Sequence, residues 1–139
     1  MEVTDALVAA IPVGNLGVPR SEFAAVWSAA ERHNQEHAGS GDWWAAGVVT
    51  TCRWLAGAVV ENLPGFRSIA TSPVGRREVR AYEELIEAEF LAAEQLDVRC
   101  PDLVTSRPGW CEAIRTTLRW AWRQAGPAPF PLPESRAIA

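Results

Sequence analysis

"WAAGVVTTCRW", residues 44–54, has a counterpart in "WCEAIRTTLRW", residues 110–120. Both write Trp, then Val or Ile four places on, then Thr-Thr, one further residue, and Arg-Trp. A shared helical period would align Ala with Ala, but it would not align Trp, Thr-Thr and Arg-Trp. Upstream, "WSAAE" (27–31) stands against "FLAAE" (90–94), and "PVG" at 12–14 returns at 73–75. The separation between matches widens along the chain, as insertions in turns require. The pattern predicts two copies of one unit, 12–61 and 73–125. Each would hold a lead-in, a helix, a turn and a second helix.

Helix signals fit that division. Ser21 is a candidate N-cap for a helix over 20–38, with Phe23, Val26, Trp27 and Ala30 on one stripe, ending at the "GSG" of 39–41. Asp42 caps a second helix, 43–61, which stops before Pro64-Gly65. Ser72-Pro73 opens a third, 73–97, with a stripe of Val79, Tyr82, Ile86, Phe90 and Ala93. Pro101 breaks the chain, and Thr105, Ser106 and Pro108 start a fourth helix, 107–125, ending at Gly126-Pro127. No stretch alternates apolar and polar residues as a half-buried strand would. "ALVAAIPV" (6–13) reads as one helical turn or as extended chain.

A helical hairpin cannot bury its own apolar stripe, so two copies packed face to face are expected. The expected fold is therefore all-α: a single-domain four-helix bundle from a duplicated hairpin, with pseudo-twofold symmetry and a Pro-rich tail over 126–139. Prolines at 127, 129, 131 and 133 favour polyproline II there. Phe130 and Leu132 would lay the tail across the body, or else present it to a partner.

The chain has 139 residues, a net charge of −4 and a pI near 5.2, so no global field draws it to nucleic acid or an anionic membrane. All 13 basic residues are Arg, which with abundant Ala reads as the codon bias of a GC-rich genome. The three cysteines, Cys52, Cys100 and Cys111, form no C-x-x-C, and no signal-peptide pattern opens the chain. A cytoplasmic location with reduced thiols is expected. Residues 43–60 are apolar except for Arg53, which reads as a buried helix rather than a membrane span.

Four constellations carry chemistry. Arg115, Arg119 and Arg123 recur every fourth residue along the last helix. They form either a docking stripe for an acidic partner or a face balanced by the acidic third helix. Trp43 and Trp122 have no counterpart in the other unit and lie off the predicted stripes, which marks them as interface candidates. Glu89 falls inside the apolar stripe of the third helix, where a carboxylate needs a partner. Arg53, the lone charge of the apolar second helix, is the expected one. Finally "HNQEH", His33 to His37, resembles the H-x-x-E-H signature of the inverzincin metalloproteases. The resemblance implies zinc on His33 and His37, with Glu36 as base and the family's further glutamate nearest to Glu112. The bland alternative is a polar helix end whose histidines suit the dipole.

The expectation is a non-enzymatic protein-binding module, such as a bacterial regulator, antitoxin or immunity-type protein. Its partner contacts would be Trp43, Trp122, Arg115, Arg119 and Arg123. No catalytic residue, cofactor, nucleic acid or membrane partner is expected. The alternatives are a small-molecule or anion site between the repeats, and a zinc hydrolase.

Overall fold

In the computed structural model, residues 1–132 are described, so the end of the proline-rich tail lies outside them. The elements run α1 (Asp5–Ala9), a 3₁₀ turn (Val13–Asn15), α2 (Arg20–Glu36), α3 (Trp44–Ala56), β1 (Val59–Leu63) and β2 (Phe66–Ile69). They continue with α4 (Glu83–Glu94), α5 (Leu96–Arg99), α6 (Pro101–Ser106) and α7 (Trp110–Arg123). Helices hold 56 % of the described residues, among which the sheet is a single small hairpin.

The four longer helices pack in the spatial order α2–α3–α7–α4, with the α3–α7 contact at the centre. The sequence explains that placing. α3 is apolar on nearly every face and buries Ala45, Val48, Val49, Cys52, Trp54 and Leu55 among others. A helix apolar all round belongs inside. α7 splits instead into a core face of Trp110, Ile114, Leu118 and Ala121 and an arginine face, so it is covered on one side by α3 and on the other by α4. At the α3–α7 crossing a Cβ on Gly47 would lie 2.8 Å from the Ala113 Cβ. Only a glycine lets the backbones approach that closely.

α2 follows the sequence expectation to within two residues, although Pro19 and not Ser21 occupies its N-cap position. The second helix does not reach residue 61. Gly57 takes φ 70° and closes α3 by donating to Trp54 O, while Ala58 donates to Arg53 O. The β-branched pair Val59-Val60 then starts a hairpin with Pro64-Gly65 as its two-residue turn. Gly65 sits at φ 84° and Leu63 lies opposite Phe66. Pro-Gly is thus a chain reversal between strands, not a helix stop.

The third helix starts at Glu83, ten residues later than Ser72-Pro73 suggested. Ser72 closes a turn instead: its Oγ accepts from Arg77 N–H at 2.9 Å, and its N–H donates to Arg77 O at 3.0 Å. Arg76 takes φ 57°, a left-handed conformation that no helix continues. Tyr82, expected on the core stripe, is exposed, while Ile86 and Ala93 are buried. Pro101 does not break the chain but occupies the first position of α6. The tail docks as far as it is described: Trp44 Nε1–H donates to Pro129 O at 3.1 Å, and Phe130 meets the His33 ring edge-on.

Candidate functional site

Two ion pairs share one bidentate geometry. In the first half Arg53 grips Glu31 with both arms, Nε to Oε2 at 2.7 Å and Nη2 to Oε1 at 2.8 Å. In the second half Arg119 grips Glu94 through the same atoms at 2.8 and 2.7 Å. The first pair is the more buried, with the Glu31 side chain 5 % exposed. Glu31 also accepts from Trp27 Nε1–H at 2.9 Å, and the first residue's amine lies 3.3 Å from its Oε1. Burial, helped by the Glu31 charge, pushes the neighbouring Cys52 thiol far up and keeps it protonated.

The expected pair of Arg53 with Glu89 is therefore not formed, because Arg53 faces α2. Glu89 is buried and is held by backbone instead: its carboxylate accepts from Val74 N–H at 2.7 Å and from Gly75 N–H at 3.0 Å. Successive backbone N–H groups of a turn make an anion cradle, and here a side chain of the chain itself fills it. A Cβ on Gly75 would lie 2.8 Å from Glu89 Oε2, so a larger residue there would push the carboxylate from its place on the turn. Glu89 thus pins the 72–77 turn against α4.

The arginine stripe of α7 is engaged along its whole length. Arg115 is buried and binds Asp97 at 2.9 Å and Glu112 at 2.6 Å. Burial works against its charge, but those hydrogen bonds outweigh it and raise its pKa. Arg123 binds Glu87, which also accepts from Trp122 Nε1–H at 2.8 Å. That indole bond, and then Arg123, hold the Glu87 carboxyl below the ordinary range. Arg119 does the same for Glu94. Arg119, Arg123 and Trp122 form a ladder between α7 and α4, while Arg115 ties α7 to Asp97 of α5.

Trp43 stands elsewhere, at the start of α3. It meets Trp110 edge-on with ring centroids 5.9 Å apart, and the Arg107 guanidinium lies 5.0 Å from each ring centroid. Both distances are within cation–π range. Beside this cage, between the pinned turn and α4–α6, opens a cleft of about 260 Å³. It is walled by Val74, Ala92, Leu96, Leu103 and Trp110 and carries Arg76, Arg99 and Arg107. Sequence reasoning did not single out this cleft. Its parts come from five separate segments, and only the unexpected α5–α6 connection brings them together.

The hairpin is the other exposed feature. Its strands pair with each other, and Ala70 N–H donates to Ala58 O at its base. At its tip Leu63 is 62 % exposed and Phe66 70 % exposed. No protein family, curated protein or solved structure matches this chain.

His33 and His37 lie on one helix face as their spacing predicts, but the rings stack 4.1 Å apart at 18° rather than converging on a point. His37 Nδ1 is 3.0 Å from His33 O, and His33 Nε2 is 3.7 Å from Asp42 Oδ2. Among the described residues no group of three or more His, Cys, Asp or Glu is placed to hold a metal. No described helix is long and apolar enough to cross a membrane.

Proposed function

We propose that this chain is a non-enzymatic binding module that docks onto another protein through the β1–β2 hairpin. The roles of small bacterial regulators, antitoxins and immunity proteins fit its size. The observation that carries the reading is the hairpin tip, where Leu63 and Phe66 face solvent on a two-stranded ribbon. Such a ribbon is marginally stable alone in water, and a helical body of this kind does not need one for its core. Exposed aromatic and aliphatic anchors on a projecting element suit a partner's apolar pocket. Supporting it from the other side, among the described residues no buried side-chain nitrogen or oxygen lacks a partner. The polar interior is thereby accounted for by structure.

The test is site-specific crosslinking. A photoreactive phenylalanine analogue at position 66 should give one discrete adduct in the native cell, and the same probe at exposed Val104 should not. Equal adducts from both positions, or none from position 66, would overturn the proposal.

The residues set out from the sequence as partner contacts serve this reading less well. Arg115, Arg119, Arg123 and Trp122 are tied to α4, α5 or α7 carboxylates, and Trp43 is part of the Arg107 cage. The alternative, an anion site between the repeats on Arg53 and Arg119, has both guanidinium groups closed on Glu31 and Glu94. A zinc hydrolase on His33, Glu36 and His37 has only the five-residue motif behind it.

We infer further that the helical body is a duplicated hairpin with a pseudo-twofold axis through the α3–α7 crossing. Three correspondences support this. Arg53–Glu31 and Arg119–Glu94 repeat atom for atom. Thr51 Oγ1–H donates to Gly47 O at 2.9 Å, and Thr117 Oγ1–H to its counterpart Ala113 O at 2.7 Å. Matched positions also meet each other: Gly47 faces Ala113, Trp110 packs on Trp43, and reciprocally Gly109 abuts Trp44. Self-reciprocal contact is what a twofold produces.

A further inference from the structure

The geometry points to the cleft between the 72–77 turn and α4–α6 as a binding site for a small organic anion with an apolar body. An aryl or short acyl group bearing a carboxylate or phosphate is the class it suits. This inference stands apart from the hairpin reading.

Charge carries the first part of the argument. Arg76, Arg99 and Arg107 line the cleft, no carboxylate lines it, and none of the three has a carboxylate partner among the described residues. By contrast Arg53, Arg115, Arg119 and Arg123 are all paired. The nearby acids Asp97 and Glu112 lie on the other side of Arg107, in a separate cleft, and are bound to Arg115. Arg107 is also fixed in place. Its Cζ lies 5.0 Å from the ring centroids of Trp43 and Trp110, which meet edge-on to one side of it and leave its remaining N–H groups available. A guanidinium held this way presents its donors as a fork to a carboxylate or phosphate.

Shape carries the second part. The walls are apolar, and the volume of about 260 Å³ corresponds to roughly nine waters of bulk liquid, hence a ligand of about ten non-hydrogen atoms. One wall is the turn that Glu89 pins, where Arg76 is held at φ 57°. A non-glycine residue in that conformation needs support from its surroundings, and such residues gather at binding sites. At the matching places in the first unit, residues 33–36 continue α2 and residues 37–43 form no helix, so that unit has no counterpart of α6 to wall such a cleft.

Cys100 lines the cleft and is exposed, whereas Cys52 and Cys111 are buried, so alkylation of the native protein reports on occupancy. Phenyl phosphate is the probe, with inorganic phosphate and phenol as its two halves. Phenyl phosphate should slow Cys100 alkylation at least fivefold, saturating below ~10 mM, a range typical of a weak small-ligand site. Each half alone should protect at least tenfold less well at equal concentration. Arg99→Gln with Arg107→Gln should lower the apparent affinity at least tenfold, and Ala92→Phe should abolish protection by filling the space. Far-ultraviolet circular dichroism confirms that each variant is folded. No protection by phenyl phosphate, equal protection by either half, or protection unchanged in both folded variants would overturn the assignment.

Discussion

Arg53→Met and Arg119→Met place one chemical change in two settings of very different burial. Methionine keeps the aliphatic stem and removes the guanidinium. At position 53 it leaves the Glu31 carboxylate 5 % exposed, with Trp27 Nε1–H still donating to it and the Met1 amine 3.3 Å from its Oε1. Breaking a buried pair on one side costs about 3–5 kcal/mol, and the surviving indole and amine contacts place this case at the low end, about 3 kcal/mol. At position 119 the pair is 41 % and 33 % exposed on its two sides. Exposed pairs contribute about 0.2–1 kcal/mol. For a domain of this size each kcal/mol moves the melting temperature by about 3–5 °C. Arg53→Met should therefore lower it by about 10–15 °C at pH 7, and Arg119→Met by less than about 5 °C. Thermal and urea denaturation followed by circular dichroism measure both. High salt should shrink the Arg119 effect and leave the Arg53 effect nearly intact. Equal losses, or a larger loss at Arg119, would refute the view that Glu31 is a buried acid dependent on Arg53.

Gly47→Ala should destabilise, by about 1–3 kcal/mol in urea denaturation. Alanine normally improves a helix interior, but here the added Cβ meets the Ala113 Cβ at 2.8 Å and Trp110 O at 3.0 Å. A stabilised variant would mean that α3 and α7 do not cross as described. Glu89→Gln keeps the size but loses the charge on two backbone donors, and should cost about 1–2 kcal/mol. Faster amide exchange at Val74 and Gly75 would localise the change. Lowering the pH should weaken the α4–α7 ladder. The Glu87 and Glu94 carboxyls sit below their ordinary value, so their contribution is present above about pH 4.5 and is lost as pH falls through their lowered values. Arg119→Gln should reduce that slope in a pH series of melting temperatures.

The parts of this structure that were legible in the sequence are those written locally. Trp54 and Trp120 are buried near the middle of the fold, and the stripe Phe23, Val26, Trp27 and Ala30 is fully buried, because helical period and residue size decide both. The acidic third helix and the arginine fourth helix do face each other, as opposite charges at helical spacing suggest. The hairpin was missed because "VVENLPGFRSI" (59–69) alternates poorly. Its signal is instead β-branched residues on either side of a Pro-Gly pair. α6 was missed because Pro101 reads equally as a break or as a first turn. Glu89 illustrates a different limit. Its burial was readable, but its partners are backbone N–H groups of a turn fourteen and fifteen residues upstream, and no side-chain pattern announces them. The cleft shares that limit, since a pocket between five segments exists only once they are folded.

Affinity capture from the native cell with three forms of the full chain tests the proposed role most directly. The forms are the wild type, Leu63→Ser with Phe66→Ser, and Arg119→Gln with Arg123→Gln. Burying a Phe side chain that is 70 % exposed contributes about 2–3 kcal/mol, equivalent to a 30- to 150-fold change in affinity. The hairpin variant should therefore lose the partner that the wild type retains, while the arginine variant keeps it and melts only slightly lower. Retention by the hairpin variant together with loss by the arginine variant would contradict the account and return recognition to the α7 face.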